Sequence, residues 1–438
     1  MMLRGWASIL RAGSALGLIV VATAQANAGG FALREQSAYG QGASFAGIAA
    51  GGAVSSMFWN PATMTQVPGI QSETVVSGII PFASHNPSAG SSLLPLGFGG
   101  TFDTGDDALV PASYTTLQLG PNLWAGLSIN APFGLSVGFP DRWAGRDYAA
   151  NDSSLKTYNA TPSLAYRFND WLSVGVGVQI QYAKATLAQG VTIPPATPLD
   201  KNLNGTGWGY GFTAGVTVKP TPTTTIGIGY RSQIDQKIDG QASVTVLLPP
   251  TDVSTTVRLP DVVSVGLRQQ VGPQFTLLGT VEWSNWSRIG TSNVNRSSGA
   301  LLETLPFQFQ DGWFFSVGGE YQWSDRLTLR TGFGYEISPV TDQVRMPILP
   351  DNDRFWASIG ASWVVFKGLS FDLAYSHLWV RDTSINISAA SGNPWFNPAV
   401  PINYVGGVDA HVDILSIGLK YRWDAGAAAP AKTALITK

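Results

Sequence analysis

The side chains able to do chemistry are few and scattered. Three histidines occur, His85, His377 and His411, and no two are near in sequence. Cysteine is absent, which removes thiol nucleophiles, Cys-ligated zinc and disulfides. A nucleophile-and-base hydrolase needs Ser-His or acid pairs gathered on one face, and three isolated histidines do not supply them, so no enzyme is expected. The run Asp103-Thr-Gly-Asp-Asp107 has the oxygens to ligate Ca²⁺, but it reads more simply as a solvated loop. Neither a metal nor a cofactor is expected. With 26 basic and 28 acidic residues the net charge is −2, so there is no basic footprint for nucleic acid. Two charges stand out by placement. Arg330 and Glu336 fall on one side of an alternating segment, opposite Leu329, Phe333 and Tyr335. Such a pair can meet the polar head of a bound molecule, or hold a wall together as a structural ion pair.

The elements that would position these groups are strands. Of 438 residues, 44% are hydrophobic and only 12% charged, about half the usual charged fraction of roughly 25%. There are 50 Gly, 15 Trp, 20 Phe and 13 Tyr, and mean hydropathy is +0.10. Beyond the N-terminus no apolar run approaches the roughly 20 residues that a transmembrane helix needs. Instead, from about residue 70 the chain alternates with period 2. In Leu172–Tyr182 one face carries Leu172, Val174, Val176, Val178, Ile180 and Tyr182, the other Ser173, Gly175, Gly177, Gln179 and Gln181. Trp208–Lys219 and Leu415–Trp423 repeat the pattern. One face is apolar and ends in aromatics, while the other is small and polar. That combination predicts an antiparallel transmembrane β-barrel, lipid outside and a crowded lumen inside. Segments of this kind start near Glu73, Pro111, Leu123, Tyr158, Leu172, Trp208, Thr224, Ser243, Val262, Phe275, Trp313, Leu327, Phe355, Leu369 and Leu415. Bacterial barrels have even strand numbers, so 14 strands are expected, with one of these candidates a loop hairpin.

The chain divides into four parts. Residues 1–28 read as a secretory signal: Arg4 and Arg11, an apolar stretch Ala15–Ala24, then small-x-small sites ending at Ala26 and Ala28. The alternative is an N-terminal anchor. Residues 29–68 do not alternate and are dense in small residues, which suits a plug folded into the lumen or, alternatively, a periplasmic extension. Residues 69–423 form the barrel, with short turns such as Phe168–Trp171 and Trp323–Arg326 and longer connections at 84–111, 132–157, 188–207, 285–312 and 381–410. Residues 424–438 are Ala-rich, without alternation, and are expected to be disordered. One strand has a built-in flaw. Leu123, Ala125, Leu127 and Ile129 alternate normally, and then Pro132 removes a ladder donor and Gly134 frees the backbone. Pro132-Phe133-Gly134 is either a local opening of the wall or the place where the strand ends.

An ordered series at the mature N-terminus, Gly30-Phe-Ala-Leu-Arg-Glu-Gln-Ser37, Gly42-Ala-Ser-Phe-Ala-Gly47 and Phe58-Trp-Asn-Pro-Ala62, resembles the FadL family of outer-membrane transporters of long-chain fatty acids and other hydrophobic compounds. Asn130–Leu135, Arg258–Asp261, Arg330–Val340 and Asp351–Trp356 extend the resemblance over nearly the whole mature chain. It implies a 14-stranded barrel closed by an N-terminal hatch that includes Phe31, Phe58, Asn60, Pro61 and Ala62. It implies capture of a hydrophobic molecule by outer loops, an apolar lumen pocket, rearrangement of the hatch and sideways release at a kinked third strand, here Pro132, Phe133 and Gly134. Asn60 would pin the hatch by bonding backbone, or simply start a turn. Glu336 falls where the family has an acidic pocket residue. The chain departs from the family where basic residues would face a fatty-acid carboxylate: it has uncharged residues near Gln189 and Leu305. That keeps aromatic and alkane hydrocarbons open as substrates. A general diffusion porin would lack the small-residue plug. The expected partners are a hydrophobic small molecule, outer-membrane lipid and lipopolysaccharide, around a monomeric barrel in the outer membrane.

Overall fold

The computed structural model describes residues 29–193 and 197–424; the signal and tail readings lie outside them. Twenty-one strand segments form one antiparallel sheet that closes on itself. Segments that share a neighbour are halves of one strand, which leaves 14 barrel strands. They are β1 (Ile70–Pro87), β2 (Phe102–Asp103 with Ala108–Gln118), β3 (Leu123–Asn130 with Gly134–Phe139), β4 (Asn151–Arg167), β5 (Leu172–Ile193) and β6 (Thr197–Thr221). Then come β7 (Thr224–Arg231 with Ile234–Val244), β8 (Leu248–Leu259 with Val262–Val271), β9 (Phe275–Ser284, continued by Ser292–Arg296) and β10 (Leu301–Leu305, continued by Gly312–Gln322). The last are β11 (Leu327–Ile337), β12 (Arg354–Phe366), β13 (Leu369–Val380, continued by Thr383–Ile387) and β14 (Tyr404–Arg422). The ladder between β1 and β14, from Gln71↔Arg422 to Pro87↔Gly406, closes the barrel.

The alternation does what the bilayer requires. Val176, Val178, Trp208, Phe212, Leu373 and Ile417 face outward, exposed, and Trp323, Trp363 and Trp423 sit at or toward strand ends on the same outer face. Inner positions are buried by a second body of protein. The surplus fifteenth candidate is the one near Ser243. It is the top of β7, joined to β8 by the turn Thr245–Leu247. Of the expected long connections, 188–207 is mostly ladder and 285–312 is partly so. β5 and β6 remain paired as far as Ile193↔Thr197, and β9 and β10 pair again at Ser292–Arg296 and Leu301–Leu305. Above the bilayer no lipid enforces period 2, so the pattern fades while backbone pairing continues.

Residues 29–68 fill the lumen. A one-turn helix α1 (Ala38–Gln41) packs on β12, β13 and β14. The 3₁₀ turns that follow contact β7 and β8 (Ile48–Ala50), β1 and β2 (Val54–Phe58), and β4, β5 and β6 (Pro61–Gln66). A segment that touches strands all round the wall lies inside it. The wall makes room with glycine. A Cβ at Gly215 would sit 2.0 Å from the Asn60 side chain, and one at Gly229 1.8 Å from the Trp59 carbonyl. Small inner residues therefore serve close approach of backbone to backbone. Purified protein in detergent is expected to migrate differently on gels before and after boiling, because a closed ladder resists detergent until heated; identical migration would count against closure.

Candidate functional site

β3 is broken where Pro132 and Gly134 stand. Both halves stay paired with β4, from Leu123↔Tyr166 to Asn130↔Asn159 and from Gly134↔Lys156 to Phe139↔Asn151. On the other side the ladder with β2 stops at Ser113↔Ile129, so the upper half of β3 has no partner strand there. The polar groups freed at the break are satisfied by the N-terminal segment. Leu33 N donates to the Pro132 carbonyl at 2.8 Å, and Gly134 N donates to the Phe31 carbonyl at 2.9 Å. These bonds flank an antiparallel bridge, Ala32↔Phe133. Thr157 Oγ1 on β4 closes the remainder, accepting from Phe133 N at 3.0 Å and donating to its carbonyl at 2.6 Å. Phe31 packs edge-on against Trp286 at 4.7 Å and against Phe133 at 6.2 Å. Glycine at 134 is not there for backbone freedom, since its φ is not positive; a Cβ there would lie 2.8 Å from Leu33 Cδ1 and would push that side chain aside.

Three cavities lead to this break. The outermost, about 570 Å³, is lined by Tyr148, Lys201, Glu303, Trp395 and Phe396 among others. It shares Leu203 and Trp395 with a second, about 170 Å³, whose lining includes Leu155, Leu187, Val257, Phe307 and Met346 and is almost wholly apolar. This second cavity shares Leu259 with a third, about 70 Å³, bounded by Arg34, Phe58, Arg231, Glu282, Phe133 and Glu336. Apolar lining suits an apolar guest, since burial gains about 25 cal/mol per Å². The third cavity is electrically built. Arg34 pairs with Glu282 at 2.6 Å and Glu336 at 3.4 Å, and lies 3.8 Å from the Phe314 ring. Beside it, Glu35 is buried with one carboxyl oxygen unpartnered, and burial pushes its carboxyl up to about 7.

The sequence-derived residues separate into three groups. Glu336 lines the third cavity, held also by Gly29 N at 3.1 Å and Trp356 Nε1 at 3.2 Å. Arg330 lines none of these three cavities. It donates to Glu320 at 2.8 Å and lies 3.8 Å over the Tyr39 ring, while the Tyr39 hydroxyl also donates to Glu320. It anchors the N-terminal segment to the wall. Phe31 lines the second cavity, and Phe58, Pro132 and Phe133 line the third. Asn60 caps the 3₁₀ turn begun by Pro61: its Oδ1 accepts from Ala62 N at 3.0 Å, and its Nδ2 donates to the carbonyls of Ala49 at 2.8 Å and Val216 at 2.9 Å. Sequence alone places Gln179 on an inner face but gives no site role to Arg34, Gln179, Arg231 or Glu282. Alternation puts three of them inward. Gln179 is inward of Val178 and Ile180, Arg231 continues the inward row Gly227 and Gly229, and Glu282 continues Leu278 and Thr280. Asp103, at the Asp-rich run, accepts from Ala83 N and Gly105 N, and no metal-holding acidic cluster occurs among the described residues.

Residues 19–423 match the family described as "Outer membrane protein transport protein (OMPP1/FadL/TodX)". The chain belongs to this family. It is an outer-membrane transport protein, and the family resemblance read from the N-terminal motifs holds. Relatives include the "Long-chain fatty acid transport protein" of Escherichia coli K12, 26% identical over 422 residues, covering 84% of this chain and 92% of that one. "Outer membrane protein P1" of Haemophilus influenzae is 25% identical, covering 82% and 88%. A Pseudomonas aeruginosa FadL homologue superposes with TM-score 0.82 at 23% identity, over 90% of this chain and 100% of that one. The P. putida toluene transporter TodX superposes at 0.62 and 16% identity, over 85% and 94%.

Asn60 ties three backbone groups within this family member's lumen. Asn60→Ala leaves buried carbonyls at Ala49 and Val216 without that donor, an expected cost of about 1–3 kcal/mol. Amide exchange of residues 49–62 should accelerate while the barrel ladder stays protected; unchanged exchange would show that Asn60 does not pin the segment.

Proposed function

We propose that the chain takes up long-chain fatty acids across the outer membrane. Cargo is captured in the outer cavity, held in the apolar one, and released sideways into lipid through the break in β3. The observation that carries this reading is the stopper: residues 31–33 complete the broken strand by two backbone bonds, and the apolar cavity abuts it through Phe31. Lateral release delivers an apolar chain to lipid without crossing water, so nothing is lost of the roughly 0.8 kcal/mol gained per buried CH₂. Residues 29–68 act as a hatch of which residues 31–33 are the moving part, while the Arg34 ion pairs, Asn60, Pro61, Ala62 and the Arg330 contacts hold the remainder. Carriage needs no chemistry on the cargo, and we read the protein as a transporter rather than an enzyme. One chain closes the barrel, which supports a monomeric unit. Lipopolysaccharide is read around the outer rim, supported by Lys156 and Lys184, which stand opposite each other on the outer face with no acidic partner among the described contacts. Opposed like charges are unfavourable without an anion.

A hydrocarbon channel is the second reading, favoured by the almost wholly apolar second cavity. A binding panel of oleate against toluene and dodecane separates the two; tighter binding of the hydrocarbons would overturn the fatty-acid reading. The gate has its own test. Ala32 and Phe133 form the bridge pair that the two hydrogen bonds bracket, and such pairs bring Cα atoms to about 4.5 Å, within disulfide range. In this cysteine-free chain, an Ala32→Cys/Phe133→Cys pair should abolish uptake when oxidised and recover it on reduction. Equal uptake in both redox states would rule out release through this gate.

A further inference from the structure

We infer that Arg231 is the head-group receptor of the third cavity and that it selects monocarboxylates among hydrophobic cargo. The inference rests on the reading of the cavities as a fatty-acid path. Five arginines are buried among the described residues: Arg146, Arg231, Arg330, Arg345 and Arg354. Four of them hold a carboxylate: Asp200, Glu320, Asp342 and Asp351 respectively. Arg231 makes no such pair. Its Nη1 donates to the Phe58 carbonyl at 3.1 Å, its Nη2 donates to Gln179 Oε1, and its guanidinium lies 4.2 Å over the Phe58 ring. Those contacts use two of its five N–H donors and supply no negative charge.

A desolvated cation without an anion is unfavourable, and this one faces empty space. Arg231 lines the third cavity beside Gln179 and Ser232. The acid nearest in function, Glu282, lines the same cavity but is held by Arg34 at 2.6 Å. A planar carboxylate matches the free edge of a guanidinium in a bidentate fork. Seated there, its tail has apolar walls to follow: Ile234, Leu259 and Trp286 line this cavity, and Leu259 also lines the apolar cavity above. Phe58 and Gln179 hold the guanidinium in place before any ligand arrives, so little ordering remains to be done on binding. Pro132 and Phe133 bound the same space, so the receptor stands at the gate itself. One free cation takes one carboxylate, so the class is a monocarboxylic acid with a long apolar tail; esters and alkanes would pass without this contact.

The test is calorimetric titration of the full mature protein in detergent with oleate and with methyl oleate, at about pH 8 where the acid is ionised. Arg231→Gln should weaken oleate binding roughly tenfold or more and leave methyl oleate within about twofold; Arg231→Lys, which keeps the charge but not the fork, should fall between. Retained methyl oleate binding reports an intact cavity, so a misfolded variant is recognised by its loss of both. If Arg231→Gln binds both ligands as the parent does, or if Arg231→Lys weakens both ligands equally, the receptor assignment is overturned. If the parent protein binds neither ligand, the fatty-acid path itself falls.

Discussion

Inside a bilayer every backbone N–H and C=O must find a partner within the protein. A wall strand that is interrupted strains this rule where the ladder stops, and the structure is organised around that break. Pro132 removes one donor, and the upper half of β3 loses β2 as a neighbour above Ser113↔Ile129. The groups exposed there are paired by Phe31 and Leu33 from the N-terminal segment and by the Thr157 hydroxyl from β4. The segment therefore both completes the sheet and fills the opening. At position 134 glycine leaves room for the Leu33 side chain, whose Cδ1 a Cβ there would approach to 2.8 Å.

The same economy explains the wall's composition. A lumen filled by protein needs inner strand positions small enough for backbone to approach, which is why glycine recurs at inner positions such as Gly215 and Gly229. Charges inside are few and, Arg231 apart, the buried arginines are paired with carboxylates. Arg330, Glu320 and Tyr39 form one locked group, and Arg34, Glu282, Glu336 and Arg354 another. The first holds the segment to the wall. The second sits against the cavity beside the gate. Low charge in the sequence thus reflects two constraints, lipid outside and a packed interior within.

The fold was legible because the bilayer writes a strict period into each strand. β5, β6 and β14 could be read face by face, and the break at Pro132-Phe133-Gly134 showed as an interruption of that period. Legibility faded where the constraint did. The tops of β5 and β6 keep their ladder without alternation, and sequence took them for a loop. The site was only half legible. Arg330 and Glu336 share a face in the sequence, yet one locks the N-terminal segment and the other lines a cavity, because partners from that segment decide which. Strand period cannot show where a lumen segment lands. It does show that Arg231 points inward, and it could not show that no carboxylate meets it. The uncharged residues at Gln189 and Leu305 had suggested a pathway without a cation; Gln189 lines the outermost cavity and Leu305 the apolar one, and the free cation stands deeper.

On the proposed release route, the energetics of the N-terminal stopper set what cargo must supply. Freeing residues 31–33 breaks two backbone hydrogen bonds, each worth about 0.5–1.5 kcal/mol net. It also separates Phe31 from Trp286 and Phe133, contacts worth about 0.5–1.5 kcal/mol each beyond their area. The closed state is therefore favoured by a few kcal/mol, comparable to the about 5.5 kcal/mol that carries a two-state equilibrium from one side to the other. A long acyl chain gains roughly 0.8 kcal/mol per buried CH₂, so a handful of methylenes bound better in the open state would suffice. The rest of the segment is held by bonds of another order: Asn60 alone joins three backbone groups, and Arg330 and Arg268 both hold Glu320. Opening the wall does not require the lumen to empty. On the proposed route it requires only that the bridge Ala32↔Phe133 let go, with no water-filled pore.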